Sequence, residues 1–171
     1  MTLSELNTLP PAGFVLALRG VFEHSPWIAA SACDRRPFAS VDALHAALVK
    51  LMCDAPAESQ LALLRAHPEL ASKAAIRGEL AAEPSQEQAG AGLTRCSPAE
   101  FARLHALNRA YDAKFGFPFI IAVKGLDRAE IIERCAERLE HDRPTEFAEA
   151  LKQVERITRL RLGALLEGEK Q

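Results

Sequence analysis

Apolar residues recur three and four positions apart along most of this chain, the spacing that lines side chains up on one face of an α-helix. Val41, Leu44, Leu48, Leu51 and Met52 form one such stripe, and Ser40 just ahead of it has the short oxygen-bearing side chain that caps a helix start. The pattern predicts a helix over residues 41–54. Earlier, Thr2 and Glu5 stand at capping-box spacing for a short first helix, which Pro10 and Pro11 interrupt. A second helix is predicted from Pro11 to about Arg19, carrying Phe14, Val15 and Leu18 and stopping at Gly20. Ser25 and Pro26 then open a third, with Trp27, Ile28 and Ala30. Residues 58–66 read as another, with Leu61 and Leu64 on one face.

The clearest local signal is Ser97-Pro98-Ala99-Glu100, which combines an N-cap, a proline at the first helical position and a capping-box glutamate. The helix it opens is predicted to reach Phe115, with Gly116 as its stop and Phe101, Leu104, Asn108, Tyr111 and Phe115 as its stripe. Asn108 lies inside that apolar face and His105 beside it, so both are expected to need buried partners. Asp127 with Glu130 caps a helix to about Glu140, and Pro144 starts a last one that reaches Leu166. At about 100° per residue, Phe147, Leu151, Val154, Ile157, Thr158 and Leu165 share one face of it. Arg161 falls inside that face, whereas Arg156 and Arg159 fall outside.

One apolar run breaks the helical rhythm. Phe117-Pro118-Phe119-Ile120-Ile121-Ala122-Val123-Lys124-Gly125 has the composition of a buried strand, but Pro118 cannot donate to a ladder and no second strand-like run exists to pair with it. It is read as extended backbone, or a helix start, buried among helices, and its N–H and C=O groups then need partners. A polar ligand is one source of them; a simple core-filling connection is the alternative. The expectation is therefore an all-α fold, a single domain over residues 1–171 built as a helical bundle of about seven to nine helices.

Composition narrows the function classes. The 171 residues are 49% hydrophobic and 26% charged, enough to bury a core without staples and too apolar for disorder. A net charge of −2 with both signs scattered evenly gives no reason to expect nucleic acid or a membrane surface as partner. Small molecules and proteins remain. Cys33, Cys53, Cys96 and Cys135 are widely spaced with no Cys-x-x-Cys pair, which points to free thiols in a reducing cytoplasm. The first residues lack a secretory pattern, and no apolar run reaches about 18 residues, so no transmembrane helix is expected. His24 and His45 have no partner at metal-ligand spacing and are read as structural or exposed.

Chemistry concentrates between His67 and Gly92. Pro68 disfavours the α region for His67, which should leave the preceding helix in an extended conformation, and Pro68 itself can begin the next helix, running toward Gly78. The end of the first helix favours a protonated imidazole and the start of the second a neutral one. Further on, Ser85 and Gln88 have capping-box spacing, so a short helix is predicted from Gln86 to Gly90 or Gly92, with Glu87 in its first turn where free N–H groups keep a carboxylate ionised. A histidine and a carboxylate, each at a helix start, can converge on one small ligand. The plainer alternative is a helix boundary and an ordinary cap. Arg161, inward and unable to shed its charge, needs either an internal carboxylate or a bound anion.

Four phrases carry a resemblance. Ala66-His67-Pro68-Glu69-Leu70, Ser85-Gln86-Glu87-Gln88-Ala89-Gly90, Lys114-Phe115-Gly116-Phe117-Pro118-Phe119 and the late ITRLRL of residues 157–162 resemble, in order and over nearly the whole chain, the 2-oxo-4-hydroxy-4-carboxy-5-ureidoimidazoline (OHCU) decarboxylases. That family catalyses the last of three steps from urate to (S)-allantoin. The resemblance implies an all-helical, cofactor-free and metal-free carboxy-lyase acting on a small ureidoimidazoline, usually as a homodimer. It implies that His67 is the proton donor and that Glu87 works beside it. It also implies that Pro68, Pro84, Ser85, Gln86, Gln88, Phe119, Ile120, Ile121, Ala122 and Val123 line the substrate pocket. The family's carboxylate-binding arginine is carried to Arg161 rather than Arg159, because only Arg161 faces inward. Many members have aspartate where Glu69 stands, a departure expected to affect only a helix start. The competing expectation is a non-catalytic, all-helical protein-interaction module.

Overall fold

The computed structural model describes residues 1–70, 93 and 96–166. Among the described residues there are eight α-helices and no strand: α1 (Leu3–Thr8), α2 (Pro11–Ala17), α3 (Pro26–Ala32), α4 (Val41–Cys53), α5 (Ala57–Ala66), α6 (Pro98–Phe115), α7 (Arg128–Arg138) and α8 (Arg143–Leu165). A 3₁₀ turn, Cys33–Arg35, follows α3 directly. The all-α expectation holds, and the caps explain where the helices begin. Thr2 with Glu5, Ser97 with Glu100 and Asp127 with Glu130 each form a reciprocal capping box, and Ser40 accepts the Ala43 N–H. Caps of this kind contribute about 0.5–2 kcal/mol each. Gly116 ends α6 in the left-handed region at φ 77°, where its missing Cβ avoids a steric cost.

The chain forms two compact units, Met1–Ala66 with Val154–Gln171 and His67–Gln153. In the first, α3 packs against both α2 and α4. Leu6, Phe14, Ile28, Leu44, Leu48, Met52 and Leu64 are fully buried. Asn7 fastens the loop before α4 by exchanging two 2.9 Å hydrogen bonds with the Phe38 backbone. His45 binds back to α8 through the Glu155 carbonyl and the Thr158 hydroxyl, a structural role. On α3, Ile28, Ala29 and Ala32 are buried and Ala30 is exposed.

The second unit has an aromatic centre. Tyr111 lies 4.6 Å from Phe115, 5.9 Å from Phe117 and 5.4 Å from Phe119, centroid to centroid. Tilted and edge-on pairs of this kind add about 0.5–1.5 kcal/mol each beyond area burial. His105 departs from expectation: it sits at the rim, half-buried, with its ring stacked on Phe101, and so avoids the need for a buried polar partner. The buried stripe of α8 contains Val154, Ile157 and Thr158 as predicted but differs over its first turns. Glu146, Ala150 and Gln153 are buried, whereas Phe147 and Leu151 are only partly covered.

Candidate functional site

α5 ends at Ala66, and His67 is the first residue beyond it, half-buried in a bend. Pro68 and Glu69 are exposed and adopt no regular structure, and Leu70 is a buried turn residue. The helix start expected at Pro68 is thus absent as far as residue 70. The reason is tertiary: Asn108 of α6 donates to the Glu69 side chain and to the Leu70 carbonyl, both at 2.9 Å. Glu69 is consequently more than a helix-start residue. Asn108 itself is 4% exposed, and its buried Oδ1 has no hydrogen-bond partner among the described residues.

The remaining residues of the first two motifs, Pro84, Ser85, Gln86, Glu87 and Gln88, lie outside the described residues, as does the predicted helix toward Gly78.

Residues 118–123 run without helix, turn or bend, and Phe119, Ile120, Ile121 and Val123 are buried while Ala122 is half-buried. The extended reading of this run is correct. Its partners come in part from the protein: Arg138 of α7 donates to the Ile120 carbonyl at 2.7 Å, and the Gln153 side chain accepts the Ala122 N–H at 3.0 Å. The Val123 carbonyl accepts from Leu126 in the turn that follows. Among the described residues, the N–H groups of Ile121 and Val123 have no hydrogen-bond partner.

Behind this segment lies a polar cluster that sequence reasoning missed. Glu146 is 0% exposed. One of its oxygens accepts from Arg138 Nε at 2.8 Å, from Arg138 Nη2 and from the Tyr111 hydroxyl, and the other contacts His141 Nδ1 at 2.8 Å. Arg138 also lies over the Phe119 ring, 4.7 Å from its centroid. Burial, then the bond to Glu146, pushes the Tyr111 phenol far above its ordinary range. Burial likewise raises the Cys135 thiol to about 12. The available signal was weak: Glu146 falls on the same face of α8 as Ala150 and Gln153, a phase that counting apolar residues alone rejects.

Arg161, in the other unit, is inward-facing as its helical phase predicts. Its Nη2 pairs with Glu23 at 2.6 Å, and Nη1 makes longer, 3.4 Å contacts to the Gly20 and Val21 carbonyls. Arg159 is exposed and pairs with Asp42 at the surface. Among the described residues, no group of three His, Cys, Asp or Glu is placed to hold a metal ion, and no helix is long and apolar enough to cross a membrane.

Comparison with known proteins gives these positions a context. Residues 7–163 match the family model described as OHCU decarboxylase. A protein of Halalkalicoccus jeotgali named 2-oxo-4-hydroxy-4-carboxy-5-ureidoimidazoline decarboxylase is 41% identical over 165 residues, covering 96% of this chain and 92% of that protein. Among solved structures, one of (S)-allantoin synthase superposes with a TM-score of 0.79 at 27% identity, covering 98% of this chain, which spans 55% of that one. A structure of OHCU decarboxylase in the presence of (S)-allantoin gives a TM-score of 0.71 at 27% identity, covering 87% of this chain and 96% of that one.

Proposed function

The chain belongs to the OHCU decarboxylase family, a family of carboxy-lyases of urate degradation that form allantoin, and on that premise we propose how its residues carry the reaction. His67 is the proton donor and Glu87 its companion. Arg161 binds the substrate carboxylate. Pro68, Pro84, Ser85, Gln86, Gln88 and segment 119–123 form the walls of the pocket.

Decarboxylation leaves an electron pair that must be stored, and the substrate's own C=N bond, adjacent to the carbon bearing the carboxylate, can store it. The C–C bond breaks, its electrons form a C=C bond within the ring, and the former C=N nitrogen becomes an amine nitrogen. The 4-hydroxyl then gives up its proton, which Glu87 is suited to accept and pass to that nitrogen, and becomes the ring carbonyl. The adjacent carbon takes a proton from His67. Overall, one proton replaces carbon dioxide. Delivery to a single face makes the product (S), and general acid help of this kind contributes about 10²–10⁴ in rate.

The observation that carries the reading is the family match over residues 7–163. The backbone of segment 119–123 supports it, because N–H groups with no partner among the described residues suit the amide and ureido oxygens of such a substrate. We further propose that the two compact units form one catalytic domain, that the protein works as a homodimer and that it resides in the cytoplasm. Four unpaired thiols support the last point.

The test is to generate the unstable intermediate from urate with urate oxidase and hydroxyisourate hydrolase, add the protein, and follow absorbance and circular dichroism together. Faster loss of the intermediate with a dichroic product is expected from the wild type. His67→Ala should lower the rate by about 10²–10⁴. A racemic product at the spontaneous rate from the wild type defeats the proposal and returns the chain to an interaction module.

A further inference from the structure

We propose that Arg138 and Gln153 are positioning residues that grip one edge of segment 119–123 so that its other edge is presented to the substrate, with buried Glu146 holding Arg138 in place. The inference rests on the pocket reading of that segment given above.

The segment cannot hold itself. It has no neighbouring strand among the described residues and no helical bonds of its own, so apart from the turn bond at Val123 its course is set by what side chains do to it. In an unbent chain, the backbone groups of residues i and i+2 face the same side, and those of residue i+1 face the other. The Ile120 carbonyl and the Ala122 N–H therefore share an edge, and it is these two groups that Arg138 and Gln153 take, at 2.7 and 3.0 Å. The Ile121 N–H lies on the opposite edge, together with that of Val123. Neither has a partner among the described residues.

Both grips are braced from behind. The Gln153 amide nitrogen donates to Glu149 at 2.6 Å, which turns the amide oxygen toward Ala122. Arg138 is clamped by the two bonds it donates to Glu146 and lies over the ring of Phe119, whose backbone begins the segment. Glu146 in turn is saturated by Tyr111 and His141. A buried ion pair is an inefficient way to add stability, since apolar residues of similar volume do as well or better. What a guanidinium supplies here that a leucine cannot is a directed donor to the Ile120 carbonyl.

Two variants separate positioning from stability. Gln153→Leu removes one grip without breaking the ion pair. The double change Arg138→Met with Glu146→Leu removes the other and leaves no buried charge behind. The readouts are KM and kcat with freshly made intermediate, backbone amide exchange at Ala122, and the amide shifts of Ile121 and Val123 on adding (S)-allantoin.

Loss of one hydrogen bond of about 1.4 kcal/mol corresponds to roughly tenfold. Each variant is therefore expected to fold, to raise KM by about that factor and to change kcat less, the split that marks lost ground-state positioning. In Gln153→Leu the Ala122 amide should also exchange about tenfold faster, and Gln153→Asn, too short to reach, should not rescue it. If both folded variants keep wild-type KM and wild-type allantoin-induced shifts, the positioning role is overturned. If allantoin leaves Ile121 and Val123 unshifted in the wild type while the decarboxylation is normal, the pocket reading beneath it falls instead, and the proposal falls with it.

Discussion

Arg138 and Arg161 both point inward from charged helices and both meet a glutamate, but one pair is sealed and the other is not. The Arg138 and Glu146 side chains are 9% and 0% exposed, and every described bond around them is made within one compact unit. The Arg161 and Glu23 side chains are 16% and 25% exposed, and the additional Arg161 contacts to the Gly20 and Val21 carbonyls are stretched to 3.4 Å. The first arginine is committed to the protein backbone at Ile120. The second remains near enough to solvent for its ion pair to be weakened by water, which suits a residue proposed to exchange one carboxylate for another on substrate binding. An inward arginine is thus an incomplete clue: the depth of its partner separates a sealed ion pair from one within reach of water.

The comparison breaks most visibly at Glu146. Glu146→Ala leaves Arg138 buried and unpaired, and stability in urea should fall by about 3–5 kcal/mol. A loss below 1 kcal/mol would place the pair in the same class as Arg161 with Glu23. Next in size, Arg161→Lys replaces a planar fork by a point charge, and kcat/KM should drop about 10–100-fold, chiefly through KM, with little change in the unfolding midpoint. Glu23→Gln should cost about 1 kcal/mol or less of stability in the same urea experiment, because its partner is closer to water.

The smallest effect is expected at the surface pair of Glu100 with Arg128. The Ser97 backbone N–H first, and then the Arg128 side chain, hold the Glu100 carboxyl below its ordinary range. Because the folded value lies below the unfolded one, this stabilisation is complete above the unfolded value and disappears as pH falls through the folded value. Glu100→Gln should therefore slightly flatten the acid limb of a plot of Tm against pH, with the difference from wild type vanishing at the lowest pH.

Legibility in the sequence followed the range of the interactions involved. Capping boxes at Thr2, Ser97 and Asp127 join residues three apart, and all three form as expected. Gly116 stops α6 for an equally local reason. The need of Asn108 for buried partners was legible, but their identity was not, because Glu69 and Leu70 lie 39 and 38 residues away. Phe147 and Leu151 misled for a different reason: Glu146 and Gln153 are polar, so a count of apolar positions rotates the buried face of α8 away from them.

From the sequence alone came the helical class, the helix boundaries set by caps and prolines, the motif order that marks the family, and His67 leaving α5 at its last turn. These depend on backbone sterics and on contacts within a turn or two, which a linear pattern contains. Only the tertiary structure decided that Pro68 stays outside a helix through residue 70, that Arg138 and Gln153 share the Ile120 and Ala122 edge, and that Glu146 finds Arg138, Tyr111 and His141 as partners in the interior. A buried polar group is tolerated only when several distant partners converge on it, and that convergence is a property of packing.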